Sequence, residues 1–188
     1  KYSNATIFHY LGIMAPVLLK KKKSKLEINN KLRLGVGAGI EPALHKKFEK
    51  RFKIPMVELW GMTEMVRCIF DNKKNRIIGN RCFGKPDKSL EIKLYNAKSV
   101  NFLFKQGELL IRHNSKNPKK GFFTGYYKNI YETKKIWKNN WFHTGDIVKI
   151  DKFNNLYFVD RKKNIIRRSG ENISSAEIEA TLLGLSEI

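Results

Sequence analysis

The sequence predicts an α/β fold, α+β over its whole length, and three features predict it. Between residues 31 and 60 a short apolar run, a glycine-rich turn, a helical pattern and a second apolar run follow one another, the order of an α/β layer. From about residue 80 the pattern changes to short alternating stretches divided by Asn, Gly and Lys turns, the mark of a small β-rich subdomain. Near the carboxyl end a helix start follows a strongly basic turn.

Taken in order, residues 3–23 read as a helix with Ser3 or Asn4 as its N-cap. The lysines of residues 20–23 suit its carboxyl end, where the helix dipole favours cations. "KLRLGVGAGI" is a strand running into a glycine loop. Pro42 then opens a helix, since the amide it lacks has no partner in a first turn, and Leu44, Phe48 and Phe52 recur along one face. "IPMVELW" is a buried-type strand and "GMTE" is the loop that leaves it. "LEIKLY", "GELLIRH", "NWFHTGDIVKI" and "NNLYFVD" are the strands of the second part. Ser174 with Glu177 makes a capping box, stapled by Ile173 and Ile178, so a last helix begins at about Ser175.

A chain of 188 residues holds one moderate domain, or one domain and a piece of another. Its 41% of hydrophobic residues, with 12 Phe and 7 Tyr, suffice for a core and argue against wholesale disorder. The best apolar run, residues 7–19, is too short to span a membrane and is interrupted by Gly12 and Pro16. It ends in lysines with no small-residue cleavage site, which is unlike a secretory signal. Cys68 and Cys82 lack CxxC spacing and fit a reduced, cytoplasmic setting. The net charge of +21 invites a nucleic-acid reading. The lysines are instead scattered among Asn and Ile, as an AT-rich coding sequence would produce, and read as solvated background; no nucleic-acid partner is expected.

Three stretches can carry chemistry. In "GVGAGIEP", Gly35, Gly37 and Gly39 allow a tight turn and close approach to a ligand. A dinucleotide fingerprint fits poorly: Glu58 lies about 20 residues on, but the third glycine would fall on Ile40 or Pro42. In "ELWGMTEM", Trp60, Gly61, Met62, Thr63 and Glu64 leave a strand at its carboxyl end, where α/β ligands bind. Thr63 can donate to a phosphate, Glu64 can hold Mg²⁺, and Trp60 offers a flat face to a base, core packing being the equal alternative for Trp60. In "WFHTGDIVKI", Gly145 and Asp146 interrupt an apolar strand; Asp146 is either a structural bulge residue or an acceptor for both hydroxyls of a ribose, with Arg161 as a second contact. His143 reads as a structural or rim residue rather than a ligand.

"GAGI", "ELWGMTE", "GELLI", "GYY", "WFHTGD" and "DRKKNIIRRSGENISSAEIE", in that order, resemble the adenylate-forming superfamily over essentially the whole chain. The ending is closest to the acyl-CoA ligase branch. The resemblance implies enzymes that use ATP and Mg²⁺ to convert a small-molecule carboxylic acid to an acyl-adenylate, then transfer the acyl group to coenzyme A. By motif, Gly37, Ala38 and Gly39 would line the adenine and acyl side, and Trp60 would take a position usually held by Tyr and pack against adenine. Gly61 and Met62 would complete that loop, Thr63 would contact the α-phosphate, and Glu64 the metal. Asp146 and Arg161 would hold the ribose. Lys163 would be the hinge of a mobile lid, Arg167 would reach phosphate or coenzyme A, and Gly170 would let the pantetheine arm pass. On this reading residues 1–160 are the rear of a large α/β domain, β-rich from about 80, and residues 161–188 are the hinge and the start of the lid. A phosphate loop would precede the chain and a lid lysine would follow it, so the chain is expected to be a piece of a longer enzyme, inactive in isolation. The acid's pocket would be walled partly by a helix around residues 9–14. Two alternatives stay open: an adenylating enzyme with another acceptor, and a non-catalytic basic binding module.

Overall fold

In the computed structural model the described residues are 4–27, 29–71, 73, 75–168 and 171–183. They fall into two compact units, residues up to 61 with 68–85, and residues 62–67 with 86 onward.

The first unit is built on β1 (Ile7–Leu11), β2 (Leu34–Ala38) and β3 (Met56–Trp60), all parallel and in that order, with β4 (Ile69–Phe70) antiparallel beside β3. Here the helix expected over residues 3–23 is corrected. Its first half is β1, and helix α1 covers only Met14–Lys20. Ile, Phe and Tyr suit a pleated, half-buried surface, and pairing places Tyr10 opposite Gly37 with its side chain fully buried. Ser3 lies outside the described residues, and Asn4 precedes a strand rather than a helix. The α1 helix starts behind Ile13 with no side-chain cap. Residues 9–14, expected as a helix walling part of the acid's pocket, are instead the end of β1, the turn after it and the first residue of α1.

Helix α2 (Pro42–Phe52) opens on its proline and ends at Lys53 in the left-handed conformation. Its Phe48 joins Tyr10, Ala15, Ile40 and Met56 in the core, with Phe8, Leu18, Leu19 and Phe52 packed against them. Full burial of such side chains contributes about 1.5–3 kcal/mol each. Glu49 closes the far end of the helix: it accepts from the Met56 N–H at 2.7 Å and pairs with Arg76 and, at 3.3 Å, His45. β5 (Cys82–Gly84) completes the unit.

The second unit is an antiparallel sheet of β6 (Leu90–Ser99), β7 (Phe104–His113), β9 (Trp141–Asp151) and β10 (Leu156–Arg161), in the order β10-β9-β7-β6. A helix not foreseen in the sequence, α3 (Ile130–Ile136), leads into the short β8 (Trp137–Lys138), which pairs with β9. Asn129 caps it by accepting the Glu132 N–H. Leu109, Leu110, Ile111, Phe142, Val148 and Leu156 are buried. After β10 come a 3₁₀ turn (Lys162–Asn164), the hairpin β11 (Ile166–Arg168) and β12 (Glu171–Ile173), and α4 (Ser175–Leu183), where the last helix was expected. The hydroxyls of Ser174 and Ser175 both donate to Asp160 Oδ2, at 2.9 and 3.0 Å. Among the described residues no helix is long and apolar enough to cross a membrane.

Candidate functional site

In the first unit, Gly37 belongs to β2, and Ala38 ends it. Gly39 follows with φ +79°. The turn is fastened from the neighbouring strand: Glu58 on β3 accepts the Gly39 N–H at 3.3 Å and the Ile40 N–H at 3.2 Å. Burial pushes the Glu58 carboxyl up to about 7, against the pull of His45, these two N–H groups and Arg81. Glu58, noted in the sequence only for its spacing from the glycines, is thus a clamp on the glycine turn. Trp60, at the end of β3, is 4% exposed and stacks on Phe83 with ring centroids 6.0 Å apart.

Gly61 is the last residue of its segment in the first unit, and Met62 begins the second. The segment 62–67 is held by backbone bonds from Val66 N–H to Gly121 O and from Phe123 N–H to Glu64 O. Thr63 is exposed and Glu64 half-buried. The Tyr126 hydroxyl donates to Glu64 Oε1 at 2.6 Å. Burial, and then this bond and the charge of Glu64, push the Tyr126 hydroxyl up to about 12, so it remains a donor.

Asp146 lies on β9 opposite Arg161 of β10. Its carboxylate is buried, with Arg161 Nε 3.4 Å from Oδ1, while the Arg161 side chain is 57% exposed. The strand is irregular just before it. Gly145 has φ +72°, and a Cβ there would meet nothing within 4 Å, so the backbone beside Asp146 borders open space. Thr144 Oγ1 donates to Leu109 O at 2.7 Å and accepts the Asp146 N–H at 3.1 Å, which fixes the aspartate's backbone.

Within the second unit the structure thus brings together Asp146 with Arg161, and Glu64 with Tyr126. Beside the first pair is a buried acid that the sequence reading did not single out. Glu108 on β7 faces His143 Nδ1 at 3.3 Å, accepts the Gly145 N–H at 3.3 Å, and accepts from Lys162 Nζ at 3.0 Å. Its signal was an acid directly before the apolar run Leu109, Leu110 and Ile111. Tyr126 was visible only as part of "GYY". Lys163 is exposed in the 3₁₀ turn, and Arg167 lies on β11 with its backbone opposite Asn172. Gly170 lies outside the described residues.

The AMP-binding enzyme family matches residues 2–127. A 2-succinylbenzoate–CoA ligase of Oceanobacillus iheyensis is 30% identical over 187 residues, covering 97% of this chain and 37% of that protein. The human long-chain fatty acid transport protein 6 is 31% identical, covering 98% and 33%, and the Arabidopsis thaliana 4-coumarate–CoA ligase-like 1 is 32% identical, covering 97% and 36%. The chain therefore spans about a third of the length of these relatives. Among solved structures, an anthranilate CoA ligase in complex with anthranoyl-AMP superposes with a TM-score of 0.79 at 23% identity, covering 96% of this chain and 34% of that one. An O-succinylbenzoate coenzyme A synthetase of Bacillus subtilis, with ATP and magnesium, superposes with a TM-score of 0.71 at 24% identity, covering 96% and 37%. At these identities the superpositions establish the shared fold.

Proposed function

The chain belongs to the AMP-binding enzyme family, and on that premise we propose that it is the nucleotide-binding part of an ATP-dependent acyl-CoA ligase. The observation that carries this reading is Asp146: a buried carboxylate, met by Arg161 from the next strand, beside a glycine that opens onto space. A carboxylate so held has its geometry fixed in advance and can accept from two adjacent hydroxyls, as ribose recognition requires.

Thr63 is the donor to the α-phosphate, exposed at the start of a segment pinned by backbone bonds. Glu64 is the metal ligand, and Tyr126 orients it through Oε1. Among the described residues no three His, Cys, Asp or Glu side chains gather as a metal cage, so a divalent ion at Glu64 would take its other ligands from phosphate and water, the habit of magnesium. Bound there, the ion would offset the negative charge that keeps a carboxylate away from an α-phosphate. Gly37, Ala38 and Gly39 line the base and acyl side, kept in place by the two N–H bonds to Glu58. Trp60, packed on Phe83, is the residue on the adenine side, and Gly61 and Met62 follow it in the chain before Thr63. Lys163 acts as the lid hinge, with Arg167 and Gly170 on the lid side. Coenzyme A is the acceptor, as for the ligases among the relatives. We assign the protein to the cytoplasm, a reducing setting that suits cysteines such as Cys68 and Cys82 without CxxC spacing.

The test is Asp146→Ala in the enzyme that carries this chain. Loss of a charge-assisted hydrogen bond costs about 1.5–3 kcal/mol, so ATP use measured by pyrophosphate exchange falls roughly 10- to 100-fold. An unchanged KM for ATP together with an unchanged kcat refutes the ribose role.

A further inference from the structure

One end of the second sheet carries apolar side chains into solvent on two neighbouring turns. Between β6 and β7, Val100, Phe102 and Leu103 are 49%, 95% and 43% exposed, and between β9 and β10 Phe153 is 61% exposed. Strand register sets these turns side by side, because Phe104 pairs with Asp151 and Lys105 with Ile150. Both turns are closed by their own hydrogen bonds. Val100 N–H donates to Phe104 O at 3.0 Å, and Asn101 Oδ1 accepts from the N–H groups of Leu103 and Phe104 at 2.8 and 3.0 Å. Asp151 Oδ1 accepts the Phe153 N–H at 2.9 Å. The apolar tips are thus held outward by formed turns.

The charge around them is positive. Lys98, Lys105 and Lys152 are exposed, and Lys152 Nζ lies 5.1 Å from the centre of the Phe153 ring. The acid of the group, Asp151, is half-buried and engaged by Phe153 N–H, by Asn155 and by the Tyr157 hydroxyl. We propose that the two tips together form a docking surface for an anionic lipid bilayer. Phe102, Val100, Leu103 and Phe153 enter the headgroup boundary, and the three lysines meet the negative headgroups. Narrow projecting tips offer little of the broad, flat area that a stable protein partner needs. Phe102 and Phe153 could stack on bases, but they share the tips with aliphatic Val100 and Leu103, a mixture that suits acyl chains better than a stacking platform. The inference is independent of the ligase reading, because its readout is membrane binding and not activity.

The experiment is flotation of the full chain with phosphatidylcholine vesicles, with and without phosphatidylserine. The protein is expected to float with the anionic vesicles, less so as salt rises, and to stay behind with phosphatidylcholine alone. Phe102→Ser with Phe153→Ser, at exposed positions that leave circular dichroism unchanged, lowers partitioning about tenfold. Lys98→Glu with Lys105→Glu and Lys152→Glu does so by at least as much. Equal flotation of wild type and both variants overturns the proposal, as does no flotation at low salt. It also falls if sedimentation shows self-association that the Phe102→Ser change abolishes, or if the same residues are needed for single-stranded RNA while vesicles are ignored.

Discussion

Burial pushes the Glu58 carboxyl up to about 7, although the neighbouring His45 and Arg81 and two backbone N–H groups favour its charged form. In the unfolded chain it titrates near 4.5. The folded state therefore binds the extra proton, so this group's stabilisation is complete below about pH 4.5 and is lost as pH rises through about 7. The difference is on the order of 3 kcal/mol. Urea midpoints at about pH 5 and about pH 8 should thus differ in the wild type, and the difference should shrink in Glu58→Gln. Glu49 carries the opposite sign. Burial raises it, but bonds from His45, Met56 N–H and Arg76 hold it down at about 2. Its contribution is present above about 4.5 and lost as pH falls toward 2, so Glu49→Gln should weaken acid sensitivity in a melt series taken below about pH 4.5. The candidate ligands were noticed in the sequence because Thr63 and Glu64 follow directly on a buried-type strand and Asp146 interrupts an apolar one. The partners Tyr126 and Glu108 were not, since each meets its acid or base from a strand or loop far along the chain.

Strand β1 shows why a local pattern can mislead at the element scale. "IFHYL" has apolar residues at spacings that a helix and a strand both tolerate, and only pairing with β2 decides between them. That pairing rests on glycine. A Cβ on Gly37 would lie 2.0 Å from Tyr10 O and 2.7 Å from its ring, so a side chain there forces two paired backbones apart. Gly37→Ala should cost about 3 kcal/mol or more, seen as a lowered Tm. At Gly35 the nearest atoms, 2.7–2.8 Å away, are the ends of Phe8 and Met56 side chains, which can turn aside. Gly35→Ala should be the milder change, and a reversed order in thermal melts would contradict this account of the β1–β2 contact. Helices α2 and α4 were readable because Pro42 and Ser174 mark their starts locally. Helix α3 is short and exposed, and its Ile130, Tyr131 and Lys134 give no apolar stripe to read.

For the whole molecule the dominant quantity is the net charge of +21. Like charges spread over one chain repel in the compact state, and salt screens them over a Debye length of about 8 Å at physiological strength. The Tm should rise between low salt and about 0.15 M sodium chloride, and a flat or falling profile would show that ion pairs such as Arg76–Glu49 outweigh the repulsion. The sequence by itself determined the fold class, the places of most strands along the chain, and the start of α2 and α4, and it supplied the side chains that the proposed nucleotide site draws on. Each of these depends on residue type and on neighbours within a few positions. The tertiary structure alone decided that residues 7–11 are a strand, that Glu58 clamps the glycine turn, that Tyr126 meets Glu64, and that two apolar turns share one end of a sheet. Those outcomes depend on contacts between residues distant in the chain, where burial and register, and not local periodicity, set the energy.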